Sequence, residues 1–120
     1  MSLCVVVADD SALARKQLIK SFPDDWDVEV VEARNGMEAL EAFRDGGDLL
    51  FLDLTMPDMD GFQVLATLAE EFSDYRVIVI SADVQSQAVE RVRELGALDF
   101  IGKPASADNL QEVLHRHGIR

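Results

Sequence analysis

Apolar residues gather in short runs, separated by stretches in which they recur every three or four positions. Residues 3–8 (Leu-Cys-Val-Val-Val-Ala) are apolar and β-branched, and read as a strand. Leu13, Leu18, Ile19 and Phe22 then recur at helical spacing, and Pro23 closes that helix. Val28, Val30 and Val31 make a second strand. Asn35 followed by Glu38 has the form of a capping box and opens a second helix, which Gly46-Gly47 ends. Leu-Leu-Phe-Leu at residues 49–52 is a third strand, and Asp60 can cap a helix with Phe62, Leu65, Leu68 and Phe72 on one face. Val-Ile-Val-Ile at residues 77–80 is a fourth strand. Ala88, Val89, Val92 and Leu95 follow on a helix that Gly96 stops. Residues 98–101 form a short fifth strand, and Ser106 can cap a last helix that packs Leu110, Val113 and Leu114.

Strands and helices thus alternate five times, the pattern of an α/β fold with a parallel sheet covered by helices on both faces. Periodicity leaves the strand order open. The 120 residues suit one domain, 1–120, and an apolar fraction of 48% supplies a real core. The single cysteine, Cys4, excludes an intramolecular disulfide and reads as a small buried hydrophobe. No apolar run approaches membrane-spanning length, and Asp9 and Asp10 interrupt the first one, so no signal peptide opens the chain and a cytoplasmic location is expected. The formal net charge is -12, with no cluster of cations. That argues against nucleic acid and against an anionic membrane surface as partners. Charge alone does not distinguish solubility from a set of acids converging on a cation; positions do.

In a parallel sheet every carboxyl end of a strand lies along one edge, where open α/β sheets place their ligand crevices. Four such ends here carry polar groups: Asp9 and Asp10, Asp53, Ser81, and Lys103. Asp53 follows the most apolar strand and precedes a loop shaped by Pro57 and Gly61. Three carboxylates brought together raise one another's pKa unless a cation neutralises them. Oxygen ligands without His or Cys suit Mg²⁺. A lysine and a hydroxyl beside a metal-bound carboxylate are what a transferring phosphoryl group requires, and the carboxylate can be its acceptor. Taken singly, Asp9-Asp10 reads as a helix cap and Lys103 as a solvated lysine. Their joint placement on one edge favours function.

Val-Ala-Asp-Asp-Ser at the first strand, Asp-Leu-Thr-Met-Pro-Asp-Met-Asp-Gly at the third, Val-Ile-Ser-Ala at the fourth and Gly-Ala-Leu-Asp-Phe-Ile-Gly-Lys-Pro at the fifth occur in that order. As a set, covering essentially the whole chain, they resemble the receiver domains of two-component response regulators. The resemblance implies the flavodoxin-like, CheY-like strand order 2-1-3-4-5 with five flanking helices. It implies that Asp53 accepts phosphate from a sensor histidine kinase or phosphotransfer protein. Mg²⁺ would be bound by Asp10, Asp53 and the backbone carbonyl of Thr55, with Asp9 acting through a water. Ser81 and Lys103 would contact the phosphoryl group, Phe100 would be the switch aromatic, and the bond to Pro104 would be cis. The domain would not be an enzyme acting on other molecules. It would catalyse its own phosphorylation and dephosphorylation, and signal to a downstream protein or output domain through the face of helix 4, strand 5 and helix 5. That face offers Val84, Gln87, Arg91 and Ala105, a mixed surface that fits a transient partner and a mainly monomeric unphosphorylated state. Phe100 in place of Tyr leaves any switch to packing alone.

Three other readings compete. A Mg²⁺-dependent phosphohydrolase would want a second carboxylate two residues after Asp53, where Thr55 stands. A flavodoxin-like cofactor site would place an anion against Asp9-Asp10. A docking module without chemistry would not need the full residue set. The resemblance also leaves open a receiver cut from a longer regulator with a C-terminal output domain; the wording of the motifs leans to chemotaxis-type members. His115 and His117 read as a solvated helix end rather than a metal clip.

Overall fold

The computed structural model describes residues 2–120. Five strands alternate with five helices: β1 (Leu3–Ala8), α1 (Ala12–Lys20), β2 (Val28–Ala33), α2 (Gly36–Arg44), β3 (Leu49–Leu52), α3 (Gly61–Glu71), β4 (Val77–Ser81), α4 (Ser86–Glu94), β5 (Asp99–Gly102) and α5 (Ala107–Arg116). The sheet is parallel throughout, in the order β2-β1-β3-β4-β5. β3 and β4 lie inside it and are buried at every position, which is why their sequences run apolar without alternation. β2 lies at an edge, so it tolerates Glu29 and Glu32 and leaves Val30 and Val31 partly open.

Each face has its own core. Val6, Ala8, Leu50, Leu52, Val77 and Val79 face α2, α3 and α4, burying Leu40, Val64, Leu65 and Val92. Val5, Val7, Leu49, Phe51, Ile78 and Ile80 face α1 and α5, burying Leu18, Leu110, Val113 and Leu114.

Helix starts follow side-chain capping, with two differences from the sequence reading. Ser11, not the aspartate pair, caps α1 by accepting from the Ala14 amide. At α2, Asn35 accepts from the Glu38 amide, but the Glu38 carboxylate reaches back to the Arg34 amide, one residue beyond a closed box. The complete capping box is at α3, between Asp60 and Gln63. α4 begins at Gln85 without a side-chain cap. Leu13 lies on the open side of α1, 66% exposed. Cys4, on the first strand, is only half-buried. β5 starts at Asp99, leaving Leu98 outside the strand and at the surface.

A close approach fixes one loop at each edge of the sheet. Gly61 packs where a Cβ would lie 2.6 Å from the Asp53 carbonyl oxygen and 2.8 Å from Leu54 Cα. Both neighbours are backbone and have nowhere to move. Gly61→Ala is therefore expected to destabilise the fold by about 1–3 kcal/mol, measured by urea denaturation. Gly96 ends α4 at φ +99°, with the Tyr75 hydroxyl where a Cβ would sit.

At the amino end of β5 the buried carboxylate of Asp99 is surrounded by donors. It accepts from the Phe100 amide at 2.8 Å and from Arg116 at 2.9 Å, and lies 2.8 Å from His117 Nε2. His117 is thus tied to the sheet, not a free solvated end. Burial works to raise the Asp99 pKa, but the His117, Phe100 and Arg116 hydrogen bonds outweigh it and the net shift is downward. A carboxylate with a lowered folded pKa adds stability above its unfolded pKa and loses it as pH falls through the folded one. Asp99→Asn should therefore melt below the wild type at neutral pH, and the gap should close as the pH falls through the acid range.

Candidate phosphoacceptor site

Register decides what meets at the carboxyl edge. Ala8 pairs with Leu52, and Ser81 with Gly102, so β1 and β3 end side by side, as do β4 and β5. Backbone bonds continue the pairing one residue past the strands: Asp53 donates to Ala8, Asp9 to Ala33 and Lys103 to Ser81. These bonds set Asp9, Asp53 and Lys103 on the edge as direct extensions of the sheet.

The result is one cluster. Carboxylate oxygens of Asp9, Asp10 and Asp53 lie within 4.8 Å of one another. Asp9 and Asp53 are buried, whereas Asp10 is exposed. Lys103 Nζ lies 2.7 Å from Asp9 Oδ2 and 3.3 Å from Asp53 Oδ1, so the lysine bridges the two buried acids. The other Asp9 oxygen accepts from the Ser11 amide at 2.9 Å, which occupies Asp9 on both sides. Ser81 is buried, and its hydroxyl accepts from the Asp83 amide at 3.1 Å. Thr55 is exposed in the loop after Asp53, and Phe100 is half-buried on β5. The Lys103–Pro104 peptide is cis. Asp58, in the loop between Asp53 and α3, adopts the left-handed backbone conformation at φ +67°.

Electrostatics follow from this packing. Burial, and then the neighbouring Asp9 charge, raise the Asp53 pKa against the opposing pull of Lys103. Burial works to lower the Lys103 pKa, but the Asp9 hydrogen bond and the charges of Asp53 and Asp9 outweigh it, and the net shift is upward. One cation thus faces three acids. That surplus of negative charge, made wholly of hard oxygen donors with no imidazole or thiolate, fits a divalent ion such as Mg²⁺.

These four loops and this cluster belong to a known design. The response regulator receiver domain pattern matches residues 5–115 of the chain. The chain belongs to the response regulator receiver family. Over 116 residues it is 39% identical to the chemotaxis protein CheY of Listeria monocytogenes, a match covering 95% of this chain and 97% of that protein. It is 41% identical over 119 residues to a protein-glutamate methylesterase/protein-glutamine glutaminase of Geobacter sulfurreducens, where it covers 93% of this chain but 32% of the longer protein. Among solved structures it resembles the CheX-CheY-BeF3-Mg complex from Borrelia burgdorferi, with a TM-score of 0.88 and 30% identity over 98% of this chain and 90% of that one. The sheet order and the five flanking helices are those of the CheY-like receiver.

Of the residues singled out from the receiver motifs, Asp9, Asp10, Asp53, Thr55, Ser81, Lys103 and Pro104 lie on this edge or in the loops leaving it, whereas Phe100 stands within β5, beside Val79. Arg15 was not among them. Its guanidinium donates to the Asp9 carbonyl at 2.7 Å and pairs with Glu32 at 2.8 Å, pinning the β1–α1 loop to the β2 edge strand. Its position four residues after the capping Ser11 was the one available signal. Among the described residues no helix is long and apolar enough to cross a membrane.

Proposed function

We propose that this receiver accepts a phosphoryl group on Asp53 from a phosphohistidine donor, with Mg²⁺ bound, and thereby alters a protein-binding surface. The observation that carries the reading is the buried Asp53 carboxylate, held between Lys103 and two further acids at one sheet edge. The Asp53 oxygen attacks the phosphorus, the donor imidazole leaves, and an acyl phosphate forms on the side chain. Lys103, already within reach of Asp53, moves its pairing to a phosphoryl oxygen. Ser81 still has its hydroxyl hydrogen to donate, because in the Asp83 contact it is the acceptor. Asp10, Asp53 and the Thr55 carbonyl would hold the Mg²⁺, which supplies the charge neutralisation that lets a phosphoryl anion approach three carboxylates.

Asp9 is engaged by Lys103 and the Ser11 amide, whereas Asp10 is exposed. Direct Mg²⁺ ligation therefore falls to Asp10, and Asp9 acts from behind it. Calorimetric Mg²⁺ titration should show a larger affinity loss for Asp10→Ala than for Asp9→Ala, of about tenfold or more; the reverse order would mean the roles are exchanged.

Phosphoryl contacts would draw the Ser81 loop inward and let Phe100 repack, a population shift between two arrangements read on the face of α4, β5 and α5 by a downstream protein or output domain. In this reading the domain catalyses only its own phosphorylation and hydrolysis, and the relatives favour chemotaxis-type signalling. Incubation with a small acyl phosphate should add one phosphoryl mass in Mg²⁺ and none in chelator. Uptake that is indifferent to Mg²⁺ would contradict the proposed site.

A further inference from the structure

We propose that Arg91 is a brake on the receiver's switch: stacked on Phe62, it holds α4 in the unphosphorylated arrangement, and its loss favours the phosphorylated one. The inference rests on Asp53 being the phosphoacceptor. The Arg91 guanidinium carbon lies 4.2 Å from the centroid of the Phe62 ring, a cation–π contact joining α4 to α3. The sequence alone placed Arg91 on the outward signalling face; the structure turns it towards α3.

Phe62 is firmly placed at the phosphoacceptor loop. It follows Gly61, whose amide donates to the Leu54 carbonyl at 3.0 Å and where a Cβ would lie 2.6 Å from the Asp53 carbonyl oxygen. Arg91 stands on a helix with few fastenings at its start. α4 buries Val92 alone and has no side-chain cap at its start. Its far end is fastened: the Ala97 amide donates to Val92, and the Tyr75 hydroxyl donates to the Leu95 carbonyl. Gly96 supplies the left-handed turn there.

α4 is therefore pinned at its C-terminal end and free at its N-terminal end, which joins the Ser81 loop. That loop is a chain of short links, with the Asp83 amide on the Ser81 hydroxyl and the Gln85 amide on the Asp83 carboxylate. A pull on Ser81 is transmitted along these links to the free end of α4. The Arg91–Phe62 stack lies between the fixed and free ends and resists that displacement. An apparent affinity falls with the fraction of molecules already in the binding-competent arrangement, so weakening the brake tightens the binding of a phosphoryl mimic.

The test titrates beryllofluoride with Mg²⁺ into wild type, Arg91→Ala, Arg91→Lys, Phe62→Leu and the Arg91→Ala/Phe62→Leu double variant, with Asp53→Asn as control. Arg91 is exposed, so its replacement spares the core. Arg91→Ala should bind about two- to five-fold tighter, the range an exposed cation–π contact supports. Arg91→Lys should fall between it and wild type. Phe62→Leu should shift affinity the same way, and the double variant should match the singles rather than add to them. Without beryllofluoride, amide exchange in the first turns of α4 should be faster in Arg91→Ala than in wild type. Unchanged or weaker binding by Arg91→Ala, or additive singles, overturns the brake while leaving the phosphoacceptor reading intact. Absence of binding by wild type, or equal binding by Asp53→Asn, overturns that reading and the brake with it.

Discussion

Asp53→Asn is expected to abolish phosphoryl uptake from a small acyl phosphate, read by intact mass. An amide oxygen is a poor nucleophile, and no other carboxylate on this edge can replace Asp53. Asp9 is tied to Lys103 and the Ser11 amide, and Asp10 is open to solvent beyond the lysine's two ion pairs. The same substitution carries a second expectation of opposite sign. An acid whose folded pKa is raised contributes stability below its unfolded pKa, and that contribution is lost as pH rises through the folded value. Asp53 is such an acid. At neutral pH its buried charge is a cost that asparagine removes, so metal-free Asp53→Asn should melt above the wild type. Saturating Mg²⁺ should narrow the difference by stabilising only the wild type's full acid set. A variant that neither loses uptake nor gains metal-free stability would place the acceptor elsewhere.

Lys103→Met is expected to slow phosphoryl uptake by roughly 10²–10³-fold, the usual loss when one well-placed charged donor is removed from a phosphoryl or oxyanion site. The ammonium lies within 3.3 Å of both buried acids, at 2.7 Å from Asp9 and 3.3 Å from Asp53. Methionine keeps the stem and removes the charge, so Asp9 and Asp53 then face each other without compensation. The variant should consequently be less stable than wild type in chelator and should regain much of the difference in Mg²⁺. Stopped-flow or quenched mass measurements against acyl phosphate concentration give the rate, and melting curves with and without metal give the stability. A near-normal rate would remove Lys103 from the phosphoryl site.

Much of this was legible because the sequence repeats one physical statement five times. Leu-Leu-Phe-Leu and Val-Ile-Val-Ile can be uninterrupted only where both faces of a strand are covered, and β3 and β4 are the strands so covered. Asp60 and Ser106 each cap a helix as their positions suggest. The convergence of the cluster was legible for a different reason: Asp9, Asp10, Asp53, Ser81 and Lys103 each stand at a strand's carboxyl end, so a parallel sheet alone brings them to one edge. Strand order came from the receiver resemblance instead, because hydrophobic period says which residues are buried but not beside which strand.

What escaped the sequence depends on side chains crossing between elements. Leu13 fits the helical period of α1 yet faces solvent, because Leu18 supplies that helix's contact with the sheet. Cys4 is half-buried rather than enclosed. Glu38 bonds Arg34 instead of Asn35, a choice made by the turn before α2. His117 pairs with Asp99, and Arg91 covers Phe62; both contacts join helices to elements distant in sequence. A helical wheel assigns Arg91 to the surface correctly but cannot say which neighbouring ring it will meet.

The central claim is that the phosphoryl group resides on Asp53. Reductive trapping tests it most directly: the protein is phosphorylated in Mg²⁺, treated with borohydride to convert the acyl phosphate to an alcohol, and digested for peptide mass mapping. The account predicts homoserine at position 53 in the peptide that spans β3 and the loop to α3, with residues 9 and 10 unchanged. Conversion at position 9 or 10, or at none of the three while intact mass shows a phosphoryl group, would contradict it.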